Sequence, residues 1–397
     1  MKITAIDIFI LKPAFAERPF PVKPVICRVY TEEGIYGVGE AGIAAGVGVN
    51  AAVGMLRDLA PCFLGQDIAE FEAIAHTLKN SAYGHVSGGG AVFSSALSAY
   101  DTAYFDIKGK QLGIPAWQLL GGRLRDHVDC YASQVHDGWG TISRRLATAE
   151  DYAEATRIVC GQGFKAGKYN LSALDREGNP IPLEKSTNPA YAHELANLAR
   201  ERLDAVRAAG GESFGIIGES LSRMAPSTAA AVDKVCAEYQ MLYMEEPYFS
   251  YDARLYSHSA ERFRVGLACG EKLHNGEAFL PYFESRSITV AQPDVAVCSG
   301  LREAKRICDT AALFGISVQP HICGSPIAYA ATLQLEAVVQ NFVMHESLCT
   351  CLETEWIEYG QYDLSPQHAV IAIPDRPGIG QDLSERAVKE AQRIHLE

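Results

Sequence analysis

MLYMEEP, residues 241–247, reads as a short β-rich run that ends in two carboxylates, Glu245 and Glu246. The same form recurs on both sides of it. Upstream lie VDCYASQV (128–135), FKAGKYNL (164–171) and FGIIGES (214–220). Downstream lie RVGLACGE (264–271), ITVAQPDV (288–295), ISVQPHI (316–322) and FVMHES (342–347). Most gaps hold a helical stretch such as NPAYAHELANLARERLDAVRAAGG or LREAKRICDTAALFG, with apolar residues three and four apart. The run 253–263 is the weakest of them. A doubly wound open sheet shares this alternation, but a count of eight favours a (β/α)8 barrel, placed over 126–369.

Residues 1–125 keep a different rhythm. ITAIDIFIL, VICRVYTEEG and IYGVGEA read as a strand meander divided by Gly and charged turns. From about 50 to 118 the spacing turns helical. The expected fold class is therefore α/β: a modified TIM barrel with an N-terminal α+β capping domain. The C-terminal HAVIAIPDRPGIGQDLSERAVKEAQRIHLE predicts a short strand, a Pro/Gly turn and a terminal helix. The segment 370–397 packs on the barrel or joins the cap, and the sequence leaves both open.

The chain has 397 residues, 48% of them hydrophobic, which supplies a large core. A net charge of −13 makes nucleic acid and acidic membranes poor partners. Eleven scattered cysteines without a CxxC pair fit thiols in a reducing cytosol better than a disulfide framework or a zinc site. The N-terminus lacks the order of a signal peptide, and no apolar run approaches the length that spans a bilayer. A cytoplasmic protein is expected.

In such a barrel, chemistry sits at the C-terminal ends of the strands. Here those ends carry Lys168 and Asn170, Glu219, Glu245, Glu271 with Lys272, Asp294, His321 and Glu346 in strand order. A lone Glu at a strand end is usually solvated or paired with a lysine. Three in phase on successive strands, Glu219, Glu245 and Glu271, would repel and raise one another's pKa. A divalent cation resolves that conflict, and all-oxygen ligation selects Mg²⁺ or Mn²⁺. Asp294 and His321 lie on neighbouring strands, where an Asp can fix the tautomer of a His and raise its basicity.

These residues, in this order, resemble the enolase superfamily, specifically its mandelate racemase-like and sugar-acid dehydratase members. DTAYFDIKGKQLGIPAWQLLGGRLRD (101–126) is similar to the block that closes the family's first domain. YMEEP and GEK match its metal motifs, and QPDV with QPH matches its Asp–His dyad. The resemblance covers nearly the whole chain. It implies Mg²⁺ on Glu219, Glu245 and Glu271, a small-molecule carboxylate substrate, and a homo-oligomer. It also implies cap loops, PAFAERPFPVKP (13–24) and SAYGHVSGGG (81–90), that close over the substrate.

The family's shared chemistry removes a proton beside a carboxylate. Racemase-like members often carry Lys-x-Lys on the second strand; this chain carries Lys168-Tyr169-Asn170. Lys-x-Asn resembles the galactonate dehydratase-like members, in which a His such as His321 takes the proton. A β-hydroxyl then leaves as water, giving a 2-keto-3-deoxy acid. That reading gives Lys168 the substrate carboxylate's charge and Asn170 a hydrogen bond to it. It groups Glu346 with the catalytic residues and Lys272, His136, Tyr83 and His85 with the substrate contacts. Two positions depart from the pattern. Glu219 stands where Asp is usual, and Leu221 stands where a general-acid His is usual. The acid is then sought among Tyr169, His136 and His85, or His321 serves both steps. A racemase, epimerase or cycloisomerase on the same scaffold is the alternative, and a non-catalytic relative is a third.

Overall fold

The computed structural model describes residues 1–12, 22–43, 47–81 and 90–397. The cap sheet begins with β1 (Ile3–Ile10), β2 (Val25–Thr31) and β3 (Tyr36–Glu40). The barrel strands are β4 (His127–Ser133), β5 (Ala166–Asn170), β6 (Gly215–Glu219), β7 (Tyr243–Glu245), β8 (Leu267–Cys269), β9 (Val290–Ala291), β10 (Ser317–Val318) and β11 (His345–Leu348). Two more follow, β12 (Val370–Ala372) and β13 (Gln392–Leu396). All eight expected barrel runs are strands, and a helix fills even the weak gap, at Ala253–Ala260.

The barrel strands pair in parallel in the order β10-β9-β8-β7-β6-β5-β4-β11. Its ends meet where the Val318 N–H donates to the Asn341 carbonyl at 2.8 Å and the Val343 N–H donates to the Val318 carbonyl at 3.0 Å. Alternate residues point inward. The inward set Tyr131, Ala166, Ile217, Tyr243, Ala268 and Val290 forms one buried apolar layer. The next inward set, two residues further along, is Ser133, Lys168, Glu219, Glu245 and Gln292, with Gly270 in the place after Ala268.

In the cap, β1 pairs antiparallel with β2, and β2 with β3. The long helix Gly90–Leu112 lies on this sheet with nearly every side buried. The YGVGE run of β3 explains how. A Cβ at Gly39 would stand 2.0 Å from the Ala99 carbonyl oxygen, and one at Gly37 would stand 2.2 Å from that of Ala103. Only glycine lets helix and strand backbones approach so closely. The alternate residue Val38 turns the other way and joins the barrel's core.

The C-terminal segment does both things the sequence left open. β12 pairs with β4 of the barrel and β13 pairs with β1 of the cap. The expected terminal helix is a short one, Glu385–Glu390, and the last run, QRIHL, is strand. An open edge on β1 takes up that run, so tertiary pairing decides its conformation. Among the described residues no helix is long and apolar enough to cross a membrane. All eleven cysteines are free thiols.

Asp7 anchors the β1–β13 pair. It is fully buried and accepts from Arg393, His395 Nδ1 and the Tyr30 hydroxyl, each at 2.7 Å. Burial pushes the carboxyl up, but those three partners together hold it below its ordinary value. Its contribution is then complete above the ordinary carboxylate range and is lost as pH falls through the lower folded value. Asp7→Asn is expected to lower the thermal midpoint at pH 7 and to flatten the acid limb of stability, both read by calorimetry between pH 3 and 7.

Candidate active site

The polar layer follows from strand register. Asn170 pairs with Glu219, and Glu219 pairs with Glu245, so the inward side chains of β5, β6 and β7 stand side by side. Glu271 lies two residues past β8. Gly270 brings it into reach with a φ of 148°, and a Cβ there would stand 2.8 Å from the Gln292 backbone. Asp294 and His321 follow β9 and β10, and Glu346 lies within β11. All the barrel-strand carboxylates expected from the sequence therefore reach one rim.

Lys168 is the centre of the layer. Its Nζ lies 2.7 Å from Glu245 Oε1, 2.7 Å from Glu346 Oε1 and 3.5 Å from Glu219 Oε2, with the side chain 2% exposed. Burial alone would lower this ammonium's pKa, but Glu245 and Glu346 outweigh it and hold it well above the ordinary value. Gln292 donates to Glu245 Oε2 at 2.6 Å, Ser133 donates to Glu346 Oε1 at 2.6 Å, and the Ile322 N–H donates to Glu346 Oε2 at 3.1 Å. Glu346 is buried, yet Lys168 and His321 bring it down to about 2. Glu219 goes the other way. Burial and the neighbouring Glu245 push it well up, and its Oε1 accepts from the Leu221 N–H at 2.6 Å.

A second lysine completes the cluster. Lys272 Nζ pairs with Glu271 Oε1 at 2.7 Å and with Glu246, whose Oε2 also accepts from the Ser222 hydroxyl at 2.8 Å. His321 Nδ1 meets Asp294 Oδ2 at 2.7 Å, while its Nε2 faces Glu271 Oε2 at 3.4 Å. Burial pushes this imidazole down, but Glu271, Asp294 and Glu346 together carry it up to about 10.

Other expected contacts are placed differently. Tyr169 points out of the barrel, and its hydroxyl meets Thr156 at 2.8 Å behind the sheet. The strand's alternation requires this, since Lys168 and Asn170 both point in. Asn170 Oδ1 accepts from the backbone N–H groups of Ser172 and Ala173 at 3.3 and 2.8 Å, closing the turn after β5. His136 Nδ1 accepts from the Asn170 N–H at 3.1 Å, and burial takes its pKa down to about 4. It is thus a neutral imidazole whose Nδ1 is committed. Tyr83 and His85 lie outside the described residues, as do most of the two expected lid segments. Ser133, Gln292, Glu246 and Ser222 belong to the site as well. Gln292 was readable, because in QPD the Gln and the Asp are two apart on one strand face.

Six carboxylates, Glu219, Glu245, Glu246, Glu271, Asp294 and Glu346, thus face Lys168, Lys272 and His321. This excess of buried oxygen donors and negative charge fits a divalent cation. Among the described residues, no group of three His, Cys, Asp or Glu side chains is already arranged to hold one. The two ammonium groups account for that: Lys168 lies among Glu219, Glu245 and Glu346, and Lys272 ties Glu271 to Glu246.

Comparison with known proteins agrees with this layout. Residues 6–121 match the mandelate racemase/muconate lactonizing enzyme N-terminal domain, and residues 150–387 match the enolase C-terminal domain-like family. The chain belongs to the enolase superfamily. It is 28% identical over 379 residues to the D-galactonate dehydratase of Verminephrobacter eiseniae, covering 94% of this chain and 92% of that one. It is 27% identical to the D-gluconate dehydratase of Thermoproteus tenax, covering 92% of this chain and 69% of that one. A solved enolase-superfamily member from Salmonella Typhimurium superposes with a TM-score of 0.94 at 34% identity, over the full length of both chains. Within the superfamily the protein is a hydro-lyase, in line with its dehydratase relatives.

Lys168 sets the stability of this site. Lys168→Met leaves Glu245 and Glu346 buried without their cation, and is expected to cost about 3–5 kcal/mol in urea unfolding of the metal-free protein. Adding Glu346→Gln should recover part of that loss, with a coupling of about 0.5–3 kcal/mol in the double-mutant cycle.

Proposed function

We propose that the protein is a Mg²⁺-dependent sugar-acid dehydratase acting on an aldonate or aldarate. The observation that carries the reading is the Asp294–His321 pair, held at 2.7 Å with His321 Nε2 turned toward the carboxylate cluster. The named activities of its D-galactonate and D-gluconate dehydratase relatives support the same reaction class. Glu219, Glu245 and Glu271 are the residues that would hold the cation, with Mn²⁺ as an alternative. When bound, the cation supplies electrostatic stabilisation for negative charge developing on the substrate's carboxyl oxygens.

The chain's own residues do the rest. Asp294 keeps the proton of His321 on Nδ1, so Nε2 is the basic nitrogen. Nε2 takes the proton alpha to the substrate carboxylate. The β-hydroxyl leaves with a proton as water, and the resulting enol loses its hydroxyl proton while taking up one at the former β-carbon, giving the 2-keto-3-deoxy acid. Lys168, the cation nearest the rim of β5, offsets the charge of the substrate carboxylate. Glu271, one of the residues that would hold the cation, is also among the carboxylates that raise the pKa of His321.

Incubation with a library of aldonic and aldaric acids and Mg²⁺ tests the reading by 2-keto acid formation. The expected result is turnover of at least one acid, abolished by chelation and restored by Mg²⁺. No turnover across the library by metal-loaded protein would overturn it. Deuterium entering recovered substrate without water loss would instead mark an epimerase or racemase.

His321→Asn should reduce turnover roughly 10²–10⁴-fold. The pH dependence of kcat/KM should show activity rising as His321 loses its proton. Asp294 is among the groups that raise that pKa, so Asp294→Asn should move the limb to lower pH while lowering the maximal rate. A limb that stays in place would remove Asp294 from this role. Light scattering tests the expected homo-oligomer.

A further inference from the structure

The cap touches the two loops that carry the dyad, and the proposed chemistry makes no use of those contacts. β3 ends at Glu40, which is 4% exposed and lies on the barrel-facing side of its strand with Val38. Glu40 Oε2 accepts from the Ser325 hydroxyl at 2.6 Å, the Ser325 N–H at 3.0 Å and the Ala328 N–H at 3.3 Å; Oε1 lies 3.1 Å from the same Ser325 N–H. Ser325 is the N-cap of helix Pro326–Glu336, four residues after His321. The barrel holds the intervening segment at two points. The Ile322 N–H donates to Glu346 at 3.1 Å, and Trp356 Nε1 donates to the Gly324 carbonyl at 2.9 Å.

The other half of the dyad is held from the cap too. The Gly42 N–H donates to the Ala296 carbonyl at 2.9 Å, and the Ala296 N–H donates to Asp294 Oδ1 at 2.8 Å. Asp101, on the long cap helix and 2% exposed, accepts from the Arg302 N–H at 3.1 Å in the first turn of helix Leu301–Leu313. Cap groups therefore sit on both segments that follow the dyad strands.

We propose that the cap aligns the Asp294–His321 dyad and that Glu40 is a positioning residue for His321, acting through Ser325. A buried carboxylate with all its donors satisfied is stiff, and losing one acceptor leaves buried donors unmet. The inference rests on His321 being the base, and its test is chosen to stand apart from that reading. Glu40→Gln places an amide nitrogen where a carboxylate oxygen accepts. It is expected to lower kcat for the sugar acid roughly 10²-fold, the scale of a 1 Å misplacement, with KM unchanged and at a temperature well below its thermal midpoint.

The independent readout is the His321 Nδ1–H resonance in protein labelled with ¹⁵N-histidine, assigned by its loss in His321→Asn. Glu40→Gln should shift or broaden it, and Asp101→Asn should shift it by moving Asp294. Should Glu40→Gln not fold, Glu40→Asp, which keeps the carboxyl group and withdraws it by one methylene, carries the same expectation. An unmoved resonance in the folded variants would overturn the proposal, as would a kcat loss that tracks only the unfolded fraction. If the wild-type protein turned over no sugar acid, the dehydratase reading would fall while the resonance still decided the role of Glu40.

Discussion

Buried like charge is the constraint around which this molecule is arranged. Carboxylates at the mouth of a barrel are costly to desolvate, and side by side they repel. The protein places Glu219 and Glu245 on adjacent strands in register and answers with Lys168, 2% exposed, within 3.5 Å of both and of Glu346. Lys168 and His321 bring Glu346 down to about 2, while burial and Glu245 push Glu219 well up, so one ammonium serves the three acids unevenly. The carboxylate left worst served is one of those offered for a cation. A second ammonium, Lys272, divides itself between Glu246 and Glu271 in the same way.

The fold meets this constraint in layers. An apolar set from Tyr131 to Val290 fills the barrel one step below the charges, keeping water from the underside and strengthening every pairing above it. The cap then supplies what a barrel alone lacks, which is contact with loops beyond the strand ends. Its own attachment is tied at the chain's far end, where β13 pairs with β1 and β12 pairs with β4. One C-terminal segment thus bridges the sheet that presents Glu40 and the barrel that presents His321.

What the sequence made legible was the part governed by local period. Eight β runs between helices named the barrel, and their C-terminal ends put Lys168, Glu219, Glu245 and Glu346 on one rim; two-residue alternation orders the side chains within each run. The same alternation, applied to Tyr169 between two inward residues, is enough by itself to turn that side chain away from the site. Gln292 was within reach by that logic too. Contacts set by long separation were not legible. Glu40 meets Ser325 across 285 positions, and no periodicity announces such a pair. The fate of QRIHL depended on the free edge of β1, a property of the folded sheet. The pairing of Lys168 with Glu245 and Glu346 depended on three strands closing together.

In the proposed dehydration, these placements narrow the choice of proton donor among the described residues; His85 lies outside them. Leu221 has no proton to give. Tyr169 lies behind the sheet on Thr156, and His136 is a neutral imidazole whose Nδ1 accepts from Asn170. Lys168 and Lys272 are held charged by carboxylates that raise their pKa values, so each would yield a proton only at the cost of an uncompensated acid. Among the described residues weighed for the role, His321 remains. After taking the α-proton it carries that proton on Nε2, the nitrogen that faces the cluster. A single group that removes and returns protons from one place serves one face of the substrate. In the proposed dehydration the proton and the hydroxyl therefore leave from the same side, and the acid that fits is one whose α-hydrogen and β-hydroxyl can both turn toward His321.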